Sequence, residues 1–306
     1  MKLNYKRTVC IGFAFFSICA FWQMYNSVIP LILTNTFHMN ETWSGAIMAA
    51  DNVLALFLLP FFGTLSDKSR FRSGRRLPFV LWGTVAAVVL MNLLPIFDDA
   101  YFSAPSPGGK AAFIIVLGLL LVAMGTYRSP AVALMPDCTP KPLRSKGNAV
   151  INLMGALGGV VYLLCASALY SADKTAGLSH VSYRLLFAVV GAIMLVSVAV
   201  VKLTVNENKL TDEVREYESA HPEDDLTAET DGGGRALPKD VKRSLGFLLV
   251  SVSLWFIGYN AVETWFTTYA ANVWGMALGT ASLCLTIATA GAIVSYLPAG
   301  LLASKI

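Results

Sequence analysis

Charge is what this chain lacks most. Only 14% of its 306 residues are Asp, Glu, Lys or Arg, against about 25% in soluble domains, and that deficit excludes an ordinary soluble globule. Histidine is nearly absent, and His38, His180 and His221 stand far apart in sequence. The five cysteines (Cys10, Cys19, Cys138, Cys165 and Cys284) form no CxxC pair, and none has a histidine at ligand spacing. No metal site and no cofactor is expected on that count, and the cysteines read as small packing residues. No ten-residue alternation of the membrane-barrel kind occurs. A membrane-embedded transferase would want a DDxxD or paired-histidine constellation at a membrane face. Asp98-Asp99 is the nearest approach and falls in what reads as an outer loop. An enzyme is therefore not expected.

Apolar residues fill the space that charge leaves. They make up 56% of the chain, with mean hydropathy +0.61. A membrane span needs about 20 consecutive apolar residues. Such runs centre on 8–34, 43–65, 77–97, 111–135, 147–170, 182–204, 244–270 and 275–303. Lipid forces each segment to satisfy its own backbone, so the expectation is an all-α, polytopic membrane protein with eight helices. The basic, then apolar, opening "MKLNYKRTVCIGFAFFSICAF" could pass for a signal peptide. Its run continues to about Leu33 without a small-x-small cleavage site, so it reads as a first span.

Orientation follows from Lys and Arg. With the N-terminus inside, every one of the 23 basic residues except Lys110, Arg128, Lys174 and Arg184 falls at an inner loop or helix end. The densest cluster is "GTLSDKSRFRSGRRLP", with Lys68, Arg70, Arg72, Arg75 and Arg76. The formal charge of +4 thus reports topology and not a nucleic-acid partner. The expectation is a multi-pass protein of the plasma membrane with a cytoplasmic N-terminus.

Six spans come first, then a polar segment, then two more spans. Residues 205–243 hold more than half of the 19 acidic residues and the run "TDGGGRALP", the composition of a solvated linker. Within it Leu210, Val214 and Tyr217 recur at helical spacing, as in a short amphipathic helix on the cytoplasmic face. An internal repeat is also legible. Tyr25-Asn26-x-Val28 returns as Tyr259-Asn260-x-Val262, and "GTLSDK" at 63–68 returns as "GLLASK" at 300–305, in the same order. These matches imply two six-span halves, as transporters built from repeats have, with a site near mid-membrane between them. The expected domains are 1–204, a complete six-helix half; 205–243, a cytoplasmic linker; and 244–306, the first two helices of a second half whose other four spans are missing.

Charges inside spans cost roughly 2.5–3.5 kcal/mol each on the insertion scale, so they mark function by default. Asp51 in span 2, Arg128 in span 4 and Glu263 in span 7 are the candidates. A carboxylate held away from water, Asp51 or Glu263, can take up and release a proton or ligate Na⁺. The planar guanidinium of Arg128 suits hydroxyl oxygens or a carboxylate. Pro130 leaves the Thr126 carbonyl without its helical donor and should bend the helix there. Polar stripes accompany these charges: Gln23, Asn26, Ser27, Pro30 and Thr34 in span 1, Asn148 and Asn152 in span 5, and Ser253, Asn260, Glu263 and Thr267 in span 7. Such stripes face a cavity or another helix. Trp22 with Tyr25, and Trp255 with Tyr259, could pack on the apolar face of a sugar while nearby amides bind its hydroxyls. Lipid-facing or core aromatics are the other reading of those rings. Gly155, Gly158, Gly159, Gly275 and Gly279 would let helices approach closely.

"GTLSDKSRFRSGRRLP" resembles the cytoplasmic loop between helices 2 and 3 of the major facilitator superfamily, whose form is Gly-x-Leu-(Ala/Ser)-Asp-(Arg/Lys)-x-Gly-Arg-(Arg/Lys). The inserted "SRFR" sets Asp67 and Arg75 eight apart, which looks like the plant-type sucrose–proton symporters and the glycoside–pentoside–hexuronide–cation symporters. "YRSPAVALMPDCTPKPLRSKGNA" resembles the helix 4–5 region of both groups. Arg128 falls where the first group carries an arginine linked to substrate binding; Pro136, Asp137, Thr139, Arg144 and Asn148 follow the second group's pattern. The sequence departs from both in its carboxylates. Leu117 stands where the first group has one, Leu59 and Ala55 stand where melibiose-type symporters have cation-binding aspartates, and Asp51 matches neither.

The resemblance implies a major-facilitator-type helix bundle. It implies a secondary transporter importing a sugar or glycoside with a proton, or with Na⁺, by alternating access. Substrate contacts would come from Arg128, Asn26, Asn260, Gln23, Trp22, Tyr25, Tyr259 and Asn152, and ion coupling from Asp51 and Glu263. Gly63, Asp67, Lys68, Gly74, Arg75 and Arg76 would form a cytoplasmic gate, latched by Asp67 on Arg75 and Arg76 and joined by Asp137 and Arg144. The other readings are an efflux antiporter for small amphipathic molecules and an inactive or regulatory fragment. The expected partners are a small-molecule substrate and the bilayer; oligomeric state is not legible.

Overall fold

In the computed structural model, residues 3–222 and 239–303 are described. The run "TDGGGRALP" and the closing Ser304-Lys305-Ile306 lie outside them. The helices are α1 (Tyr5–Leu31), α2 (Glu41–Lys68), α3 (Leu77–Ser103), α4 (Pro107–Asp137), α5 (Arg144–Leu169), a single turn α6 (Ala172–Thr175), α7 (Arg184–Thr204), α8 (Glu207–Ala220), α9 (Lys239–Trp274) and α10 (Leu278–Ala303). No strand occurs among the described residues. Among the described residues seven helices are long and apolar enough to cross a membrane, and Leu278–Ala292 of α10 is a shorter apolar helix. The whole of α10 is 26 residues long, ending at Ala303, about 39 Å at 1.5 Å per residue.

Many large apolar side chains point outward. Val53, Leu56, Phe57 and Phe61 on α2 are more than half exposed, as are Trp43, Trp82 and Trp274 near helix ends. That inversion suits a lipid surround, where polar pairing and close packing hold helices together.

The bundle is built around α1, which packs on α5, α7, α9 and α4, while α4 also packs on α2 and α3. Two polar ties fix α4 to its neighbours. The Tyr127 hydroxyl donates to the Ala14 carbonyl of α1 (2.8 Å), and the Ser129 hydroxyl donates to the Leu59 carbonyl of α2 (2.8 Å). In the turn before Pro130 the Thr126 hydroxyl bonds back to Val122 (3.1 Å). Contact between α1 and α5 depends on Gly158, because a Cβ there would collide with the Phe16 carbonyl. The polar stripes expected on spans 1 and 7 do meet: Thr267 of α9 donates to the Ser27 carbonyl of α1 (2.8 Å), in a buried position.

The helix α3 ends later than its apolar run does. Asp98 and Asp99 are helical residues near its end, not loop residues, and Asp98 is fully buried.

Candidate functional site

One face of the molecule gathers the ends of α2 and α4, the starts of α1, α3 and α5, and the whole of α8; its charge makes it the basic face. A π-helical turn, Ile32–Thr36, ends α1 at the opposite face.

Between α1, α2 and α4 lies a cavity of about 20 Å³ lined by Trp22, Asp51, Leu54, Leu58, Met124 and Arg128 among others. That is room for about one water molecule. The Arg128 guanidinium sits over the Trp22 ring, 5.4 Å from its centroid, a cation–π contact. Trp22 meets Tyr25 edge-on at 5.3 Å. The Trp22 indole N–H and the Tyr25 hydroxyl are buried without hydrogen-bond partners, which is costly unless a ligand or water supplies them. Asp51 is half-buried, and its Oδ1 accepts from the Asn52 backbone N–H (2.7 Å) and side-chain amide (3.0 Å).

The structure thus brings Trp22, Tyr25, Asp51 and Arg128 together, while Glu263 is half-buried on α9 and does not line the cavity. Gln23 and Asn26 are half-buried on α1, and the Gln23 amide lies beside Gly159. Neither of these two lines the cavity, and three further expected contacts lie away from it. Asn152 is exposed on α5. Tyr259 and Asn260 are exposed on α9, where the Asn260 amide donates to its own helix at Phe256 (2.8 Å). The physical reason is that α9 packs on α1 through its last turns, around Thr267 and Ala270, while residues 240–262 stay exposed.

The basic-face cluster forms as expected in part. Asp137 accepts from Arg75 (3.1 Å) and Arg76 (3.0 Å). Arg76 also pairs with Asp67 and donates to Ser66 Oγ (2.6 Å). Lys68 is exposed, and Gly63 contributes its carbonyl to Arg76 (3.4 Å). Arg144 does not join this cluster. It pairs with Glu218 of α8 (3.4 Å) and donates to the Thr139 carbonyl (3.1 Å).

Glu207 is the residue that sequence reasoning missed. It begins α8, is 2% exposed, and accepts from the backbone N–H groups of Arg75 (2.8 Å), Arg76 (2.8 Å) and Leu77 (2.9 Å). These are donors at the start of α3, which has no side-chain cap of its own. A carboxylate there meets both the orphan N–H groups and the positive end of the helix dipole. Gly74 makes room for it: its φ is +114°, and a Cβ would collide with the Glu207 side chain. Glycine is thus required twice over at that position.

The rest of α8 continues the strap. Leu210 and Val214 are buried beneath it, Glu213 pairs with Arg7 of α1 (3.0 Å), and Asn208 donates to the Arg72 carbonyl (2.9 Å). So α8 ties the start of α1 to the α2–α3 and α4–α5 connections. The only advance signal was the spacing of Leu210, Val214 and Tyr217.

Cys138, at the end of α4, reports on this cluster. Burial, then the negative charges of Glu207 and Asp137, push its thiol up to about 12. In a variant keeping Cys138 alone among the five cysteines, maleimide labelling at pH 8 is expected to be at least tenfold slower than for a free thiol. Glu207→Gln removes one charge and loosens the strap, so labelling should speed up about tenfold. Equal rates in the two proteins would show that Glu207 does not hold this face closed.

A family model described as Major Facilitator Superfamily matches residues 11–306. Among curated proteins, the chain is similar to "Sucrose transport protein SUC3" of Arabidopsis thaliana, 28% identical over 152 residues, covering 46% of this chain and 25% of that protein. It is similar to "Sucrose transport protein SUC4" of the same plant, 28% identical over 129 residues, covering 40% and 25%. A bacterial relative is "Putative glycoside/cation symporter YagG" of Escherichia coli, 29% identical over 119 residues, covering 39% and 25%. The matched stretch is therefore about a quarter of the length of each of these proteins.

Proposed function

This chain belongs to the Major Facilitator Superfamily, a family of transporters and not of enzymes, and from that footing we propose that it serves proton-coupled import of a disaccharide-like sugar or glycoside. The observation that carries the reading is the lining of this cavity, Arg128 over Trp22 with Asp51 on the neighbouring α2, which a sugar would reach when the three helices part. An aromatic face beside a guanidinium fork is chemistry that recognises a sugar: the ring packs on its C–H face while the fork donates to hydroxyl oxygens. The printed names of the relatives, sucrose transporters and a glycoside/cation symporter, favour the same class.

Coupling follows from charge. With Asp51 ionised, its field and that of Arg128 offset one another across the cavity. Protonating Asp51 removes the charge that offsets the guanidinium and strengthens its pull on a substrate oxygen, so sugar binding and proton uptake favour each other. Glu263 is the second carboxylate available to this path. Gln23 and Asn26 would serve as further donors from α1. Tyr259, Asn260 and Asn152 keep a substrate role only if their helices turn or close on the cavity during the cycle.

The basic face would be the cytoplasmic gate, in the plasma membrane with the N-terminus inside, in line with the distribution of Lys and Arg. The latch of Asp67, Asp137, Arg75 and Arg76, with Glu207 under it, would hold the inner side closed and part when it opens. Residues 1–204 would act as one half and 244–306 as part of the other, joined through 205–243.

Uptake into sealed vesicles tests this reading. An inward proton gradient should accumulate labelled sucrose or a glycoside in vesicles holding the protein. Proton-driven expulsion of a preloaded amphipathic compound, with no sugar uptake, would favour an antiporter instead.

A further inference from the structure

At the face opposite the basic one, three side chains that are far apart in sequence converge. Asp98 and Asp99 come from the end of α3, and His180 from the segment between α6 and α7. One ligand atom from each, all within 4.8 Å of one another, could meet a common ion. His180 Nε2 lies 2.9 Å from Asp99 Oδ1 and 3.7 Å from Asp98 Oδ2. We propose that Asp98, Asp99 and His180 form a binding site for a divalent transition metal, Zn²⁺ in the first instance, that clips α3 to the segment leading into α7.

Asp98 is the strongest reason. Its side chain is 0% exposed, and neither carboxylate oxygen has a hydrogen-bond partner. The Thr36 hydroxyl lies near enough to favour its charged form, without completing a hydrogen bond to either oxygen. A buried carboxylate is retained when it is paired or coordinates a metal. Geometry agrees: ligand atoms about 2.0–2.2 Å from a tetrahedral zinc stand roughly 3.3–3.6 Å apart, between the two separations observed.

The surroundings are those of a supported site. Asp99 offers Oδ1 to the cluster, while its Oδ2 is held by Ser182 Oγ (2.8 Å) and Arg184 Nε (2.6 Å). That division fixes the carboxylate as outer-shell partners do around metal ligands. His180 is stacked on Phe102 at 4.4 Å and 13°, which sets its ring plane. With a neutral imidazole, two carboxylates and Arg184 sum to one net negative charge, which a dication reverses. One imidazole and two carboxylates suit Zn²⁺ and its first-row neighbours; Ca²⁺ and Mg²⁺ prefer all-oxygen shells. A fourth position is left for water.

The test uses the whole chain, purified without a polyhistidine tag and stripped with a chelator. Titration with Zn²⁺ should show one ion bound per chain, and His180→Ala and Asp98→Asn should each weaken binding at least about 100-fold. Co²⁺ in place of Zn²⁺ should give the visible absorption of a four-coordinate ion in the unaltered protein, which needs no variant to fold. Absence of stoichiometric Zn²⁺ binding, or equal binding by either variant, would overturn the site and leave a plain ion-paired cluster.

Discussion

Asp51→Asn is expected to abolish proton-driven sugar accumulation while leaving sugar exchange intact. In vesicles with an inward proton gradient, accumulation should fall at least tenfold, to the level set by the sugar gradient alone. Counterflow, in which internal sugar exchanges for labelled external sugar without net proton movement, should stay within about threefold of the unaltered rate. The substitution keeps shape and removes only the ability to ionise. The carbonyl oxygen of the introduced amide can still accept from the Asn52 backbone N–H that Asp51 binds at 2.7 Å, so local structure is retained. It also mimics the protonated state, in which no opposing charge offsets Arg128. Undiminished accumulation would sink the coupling role of Asp51 and turn attention to Glu263.

Arg128→Ala is the second large effect. A hydrogen bond from a charged donor contributes about 1.5–3 kcal/mol, so losing the fork should weaken sugar binding roughly 10- to 150-fold. Two secondary changes sharpen the expectation. The Trp22 ring loses the cation above it, and Asp51 loses the nearby charge that offsets its own. Arg128→Lys restores charge without the planar fork, so it should recover folding and leave most of the binding defect. Sugar affinity unchanged in both variants would exclude Arg128 from the substrate site.

The helices were legible because a bilayer leaves few choices: a long apolar run becomes a helix, and its flanking Lys and Arg mark its ends. Arg128, Asp51 and Trp22 were legible for a related reason, since polar groups in such runs stand out. Contacts over long sequence separations were not. Glu207 bonds Leu77 from 130 residues away, and nothing in "VNENKL" announces a cap for another helix. Asp99 meets His180 across 81 residues, and α3 continues for two turns past its apolar core, so the acids looked like loop. The repeat of Tyr25-Asn26 as Tyr259-Asn260 suggested equal roles for the two pairs. Packing separates them, burying Tyr25 and leaving Tyr259 exposed, because α9 docks on α1 only through its last turns.

Proton uptake on sugar binding is the most direct measure of the central claim. Isothermal titration of the purified protein with sucrose, or with a glycoside, in buffers of different ionisation enthalpy reads that proton count without any gradient. The account predicts close to one proton taken up per sugar bound near neutral pH, falling to zero in Asp51→Asn while binding persists. Sugar binding with no linked proton, or the same linkage in Asp51→Asn, would contradict it.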